Sequence, residues 1–118
     1  MESDWTQKRK YMRVECQVPI EVIEPVRTRM ETLNLSLGGA FCDSPVSMSS
    51  GLQLTCIIRA RGYKMVRQDL QVSALIRRSK QKGNGESGHM VAIQFVEVPV
   101  IAQSTLKTFL ETLTGINL

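Results

Sequence analysis

The sequence predicts an all-β domain finished by a single helix, with five or six short strands arranged as an antiparallel sandwich or barrel. Three observations carry that expectation. Apolar residues recur at every second position in successive segments, breaks rich in glycine and polar residues separate those segments, and after Pro99 the apolar period changes to that of a helix.

The elements follow in order. Val14, Cys16, Val18, Ile20 and Val22 alternate with Glu15, Gln17, Pro19 and Glu21, which reads as one half-buried strand, with Pro19 marking an edge or a bulge. Arg29 to Leu37 continues the period, with Leu33, Leu35 and Leu37 assigned inward and Asn34 and Ser36 outward. Ala40 to Cys42 resume a short strand after two glycines, and DSPVSMSSG is a loop. Leu52, Leu54, Cys56 and Ile58 form the next apolar row, Gly62 stands where a hairpin can turn, and Leu70, Val72, Ala74 and Ile76 form the row after it. The polar run KQKGNGESG connects to the last row, Val91, Ile93 and Phe95. Leu106, Phe109, Leu110 and Leu113 then share one helical stripe, expected to cover an open end of the barrel, with Pro99 at its approach and Gly115 at its end.

A chain of 118 residues is expected to form one domain. We place a charged leader at residues 1–13 and the domain at 14–118, its helix starting at about 99. With 42% hydrophobic and 22% charged residues the composition is that of a soluble globular protein. No apolar run approaches the length of a membrane span. The charged start MESDWTQKRK lacks the apolar stretch of a secretory signal, so the cytoplasm is the expected compartment. Cys16, Cys42 and Cys56 are far apart and sit among strand-like apolar residues, and are read as small buried hydrophobes. One histidine, His89, and no CxxC pair leave a zinc site or a nucleophilic catalytic group without members. The expected protein is therefore not an enzyme and holds no metal.

The net charge of +4 is unevenly placed. Between Ile57 and Lys82 the basic residues Arg59, Arg61, Lys64, Arg67, Arg77, Arg78, Lys80 and Lys82 accompany one acid, Asp69, and a second knot is Lys8, Arg9, Lys10 and Arg13. Such fields favour anionic partners, or else they are the solvated faces of strands. Arg9 and Arg13, four residues apart, stand about 6 Å apart in a helical turn or about 13 Å apart on one side of an extended segment. Either way they can act on one ligand, since a guanidinium fork fits a phosphate or the O6/N7 edge of guanine and its face can stack on a base. Asn34 and Ser36 offer acceptors to the donor groups of a guanine Watson-Crick edge, and Gly39 follows where the backbone must turn or let something approach closely.

RxxxR before the first strand, here RKYMR, and [DN]xSxxG further on, here NLSLGG, together resemble the signatures of the PilZ domain family. The likeness extends through VPIEV, GGAF, ALIRR, MVAIQF and the final helix; position 34 is Asn where Asp is commoner, and Ala92 stands where many members have glycine. The resemblance implies a six-stranded antiparallel barrel with a C-terminal α-helix, acting as a receptor for the bacterial second messenger cyclic di-GMP. Carried over, ligand contacts fall on Arg9, Arg13, Asn34 and Ser36, with Gly39 keeping the ligand's wall clear. Lys8, Arg77 and Arg78 are possible additions, Lys8 favouring a self-stacked ligand pair. The leader is expected to be mobile without ligand and to fold against the barrel with it, presenting a changed surface to a protein effector. Two alternatives stand beside this: a PilZ-like adaptor that acts by protein contact without the ligand, and a basic barrel that binds single-stranded nucleic acid. The second has a thin stacking platform, because several of its few aromatic residues belong to core rows.

Overall fold

A computed structural model describes residues 11–61 and 68–118. Its strands are β1 (Val14–Glu15), β2 (Pro19–Glu24), β3 (Thr28–Leu35), β4 (Gly39–Ser44), β5 (Gln53–Ala60), β6 (Gln68–Gln81) and β7 (His89–Glu97), followed by the helix α1 (Val100–Thr114). Strands β3, β2, β5, β6, β7 and β4 pair in that order, all antiparallel, and β4 pairs back onto β3. This closes a six-stranded barrel, and the short β1 adds to β3 outside the ring. The turn expected at Gly62 lies outside the described residues, as do Lys64 and Arg67; β5 and β6 are paired up to Ala60 opposite Gln68.

The alternating rows fill the barrel as their period requires. Ile20, Val22, Leu54, Cys56, Ile58, Val72, Ala74, Ile76, Val91 and Ile93 are buried, and Ala102, Leu106, Phe109 and Leu110 of α1 join the same core. The helix thus plugs the barrel from the side of β6. Its stripe begins one turn earlier than the sequence indicates, at Ala102, and Leu113, expected inward, is 42% exposed. Gly115 ends the helix at φ 71°, a left-handed conformation that glycine adopts without steric cost, and its N–H bonds to the Glu111 carbonyl.

Two expectations about the first strands are corrected as well, and Thr32 explains one of them. The strand read from Val14 to Val22 is broken between β1 and β2. Over the gap, the Thr32 hydroxyl accepts from Val18 N–H at 2.8 Å and donates to the Cys16 carbonyl at 2.6 Å, while Thr32 N–H bonds to the Val18 carbonyl at 3.0 Å. A fully buried side chain here stands in for missing ladder bonds. Thr32→Val is expected to destabilise the protein by about 1 to 3 kcal/mol in urea unfolding, because it keeps the shape but leaves the Val18 N–H and the Cys16 carbonyl without the hydroxyl they share.

The second correction concerns Leu33. A bulge between Thr32 and Asn34 inserts one residue in β3 against β4, and a one-residue insertion moves every following side chain to the other face. Met30 and Thr32 point inward before it and Leu35 after it, so Leu33 is 41% exposed. Leu37 lies beyond the strand, half-buried against the core.

The cysteines are free thiols, with Cys42 and Cys56 buried and Cys16 half-buried. Burial pushes Cys42 and Cys56 up to about 12, Cys56 adding to the effect at Cys42, and burial also raises Cys16. The native thiols at 42 and 56 are expected to ignore a thiol reagent at pH 8 and to react only on unfolding. For each, the protonated form is favoured in the fold. Stability is therefore unaffected below the ordinary thiol value and falls as pH rises from 9.0 toward about 12, because only the unfolded thiols ionise in that window.

Part of the basic 57–82 region forms cross-strand ties. Arg59 bonds the Glu21 carboxylate through Nη2 and Asp69 through Nη1 at 2.8 Å, and Lys82 bonds Asp43 at 2.7 Å. The hydrogen bond from Arg59, aided by the charges of Arg59, Arg27 and Arg29, holds Glu21 below its ordinary value.

Candidate functional site

The Leu35-to-β4 connection builds one wall of a cleft from its own backbone. Ser36 N–H bonds to the Gly39 carbonyl at 2.8 Å, and the Ser36 hydroxyl accepts from Gly38 N–H at 3.1 Å and Gly39 N–H at 3.2 Å. The same hydroxyl reaches the Gly39 carbonyl at 3.3 Å. Ser36 is accordingly 8% exposed and shapes the turn, where the sequence reading had it outward with an unused acceptor. Gly39 is required by a close approach: a Cβ there would lie 2.2 Å from the Ile93 carbonyl oxygen of β7. The SxxG part of the motif is thus a turn whose glycine lets two strands meet.

Beside this turn is a cleft of ≈ 500 Å³, lined by Arg13 and Tyr11 before β1, by Ser36, Gly38 and Gly39, by Phe41 of β4, by Arg77 of β6 and by Ala92 and Gln94 of β7. Two guanidinium side chains line it, and among its described lining residues there is no carboxylate. A second cleft of ≈ 480 Å³ contrasts with it: there Arg29 shares the lining with Glu31 and Asp43. The described charged side chains of the first lining are both cationic, whereas in the second Arg29 is matched by Glu31 and by Asp43, itself bonded to Lys82.

Of the residues singled out in the sequence, Arg13, Ser36, Gly39 and Arg77 come together in this cleft. Asn34 does not line it, but alternates with buried Leu35 and is the cross-strand partner of Phe41, one strand away from the lining. The pairing continues from Phe41 to Ala92 and from Ala92 to exposed Arg78, and on its other side Asn34 pairs with Glu15 of β1, so a single cross-strand row runs from Glu15 through Asn34 and the cleft floor to Arg78. Lys8 and Arg9 lie outside the described residues. Sequence reasoning missed Tyr11, Phe41 and Gln94 as lining residues. Phe41 was legible, since it alternates with the inward Ala40 and Cys42.

The chain is thus a small closed barrel with a helix, and its cleft is lined by a pre-strand segment and a strand-end turn. The PilZ domain family matches residues 7–112, and the chain belongs to that family. Its fold is similar to the Bacillus subtilis inhibitor of motility MotI/DgrA, with TM-score 0.75 and 20% identity over 86% of this chain and 48% of that one. It is also similar to the PilZ domain with c-di-GMP of YcgR from Escherichia coli, with TM-score 0.70 and 13% identity over 88% of this chain and 89% of that one. A longer YcgR chain from Escherichia coli, in complex with c-di-GMP, matches with TM-score 0.70 and 14% identity over 90% of this chain and 46% of that one. The chain thus spans about half the length of MotI/DgrA and of the longer YcgR chain. A comparison with the curated proteins gives no match. No described helix is long and apolar enough to cross a membrane, and no cluster of metal-binding side chains occurs among the described residues.

Proposed function

We propose that this PilZ domain is a receptor for cyclic di-GMP and that the cleft beside the Ser36–Gly39 turn is its ligand site. The observation that carries the reading is the meeting of Arg13, from the first signature, with Ser36 and Gly39, from the second, in one cleft whose described lining adds Arg77 and no carboxylate. Two Escherichia coli YcgR structures of the same fold contain this ligand, which supports the reading. Arg13 and Arg77 take phosphate or guanine, and Arg9 of the leader joins Arg13 on the ligand. Asn34 meets a guanine edge from its place on β3 beside Phe41 of the floor. The lone pairs of Ser36 are engaged by the Gly38 and Gly39 amides, so its proton, held only by the 3.3 Å contact, is what it has to give. Gly39 serves the site by letting β7 close against the turn, and not by clearing a wall for the ligand, because the missing Cβ faces the Ile93 carbonyl.

The relay is a change of surface and not a reaction. Tyr11 and Met12, next to Arg13, line a small groove with Leu37 and Leu118, so a shift of the leader on binding alters what this end of the barrel presents to a protein effector. Lys8 adds positive charge suited to a stacked pair of ligands. The domain works as a leader at residues 1–13 on a barrel at 14–118, in the cytoplasm, without a cofactor.

Equilibrium titration with cyclic di-GMP beside GTP and cyclic di-AMP tests the reading. Saturable binding of cyclic di-GMP alone is the expected outcome. Absence of any saturable binding leaves the adaptor without ligand as the better account.

A further inference from the structure

The segment between the two arginines carries an aromatic ring with a defined seat. Gly38 has no side chain, and a Cβ placed on it would lie 2.8 Å from Tyr11 Cδ2 and 3.2 Å from Tyr11 Cε2. The ring therefore rests against the turn's backbone in space that only glycine leaves. It remains 38% exposed and lines the cleft together with Arg13 and Arg77. One side of the ring is thus supported by the barrel, while exposed ring surface borders a cationic cleft.

We infer that Tyr11 is the base-stacking residue of this cleft, presenting its ring to one purine of the bound dinucleotide. The inference rests on the cyclic di-GMP reading and adds a division of labour to it. The guanidiniums and Asn34 recognise charge and the guanine edge, whereas an aromatic face supplies affinity that every purine shares. A ring seated on backbone also loses little freedom when a base arrives, so more of the stacking energy is retained as affinity. The second glycine of NLSLGG acquires a role distinct from that of the first: Gly39 admits strand β7 and Gly38 admits Tyr11.

The test compares Tyr11→Phe, Tyr11→Leu and Gly38→Ala with the parent by calorimetric titration of cyclic di-GMP, with guanine absorbance followed in parallel. Tyr11→Phe keeps the ring and is expected to bind within about 2-fold of the parent and to preserve the loss of guanine absorbance that stacking produces. Tyr11→Leu is expected to bind about 10-fold or more weakly and to lose that absorbance change, with its thermal midpoint unaltered. Gly38→Ala, which unseats the ring without touching Tyr11, should behave as Tyr11→Leu does. A Tyr11→Leu variant that binds within 2-fold of a binding-competent parent overturns the Tyr11 assignment alone, as does a Tyr11→Phe variant as impaired as Tyr11→Leu. A parent with no affinity for cyclic di-GMP overturns both the assignment and the receptor reading.

Discussion

Replacing Arg13 by alanine is expected to weaken cyclic di-GMP binding by about 2 to 5 kcal/mol, between about 30-fold and several thousand-fold. The size follows from what truncation removes. A guanidinium on a phosphate or a guanine edge makes paired, charge-assisted hydrogen bonds, and its loss leaves the ligand atoms desolvated in the cleft without a partner. Arg13 is the described member of RxxxR and lines the cleft directly. Arg13→Lys keeps the charge but not the planar fork, and is expected to recover only part of the affinity. Calorimetric titration of the three proteins checks this; equal affinity of parent and Arg13→Ala removes Arg13 from the site.

Gly39→Ala is expected to be the most damaging small substitution in the turn, costing about 3 kcal/mol of stability and lowering the thermal midpoint by on the order of 10 °C. The added methyl would meet the Ile93 carbonyl at 2.2 Å, and that obstacle is strand backbone at the start of the β4–β7 ladder, where Gly39 pairs with Gln94 and Ala40 with Ile93. Relief requires the two strands to separate. Ligand affinity should fall with stability, because Gly39, Phe41, Ala92 and Gln94 of these strands line the cleft. Gly38→Ala is the contrast, since its methyl meets the edge of the Tyr11 ring, a side chain that can be displaced without parting two strands. Melting curves of the two variants decide it. A parent-like midpoint for Gly39→Ala contradicts the close approach.

The barrel and its helix were legible in the sequence because alternation and helical spacing are local patterns. Leu54, Cys56 and Ile58, or Val72, Ala74 and Ile76, announce their faces with no knowledge of their neighbours. The bulge in β3 was not legible. Leu33, Leu35 and Leu37 suggested an unbroken row more strongly than Met30 and Thr32 did, and the inward Thr32 makes sense only once Cys16 and Val18, distant in sequence, supply its hydrogen-bond partners. The same holds for the site. RxxxR and NxSxxG are far apart in sequence, and their members Arg13, Ser36 and Gly39 line one cleft. The reasons for Ser36 and Gly39 come instead from the turn and from Ile93. Tyr11 gave no signal by itself, because its seat on Gly38 is a contact between residues that no spacing rule joins.

The central claim is that cyclic di-GMP binds in the cleft between the pre-strand arginine and the Ser36–Gly39 turn. Amide NMR spectra recorded through a titration with the ligand test it most directly. The account predicts saturable shifts concentrated at Gly38, Gly39, Phe41, Ala92 and Gln94, with Arg29, Ser87 and Gly88 of the second cleft unmoved. Shifts centred on the second cleft, or a spectrum that the ligand leaves unchanged, would contradict it.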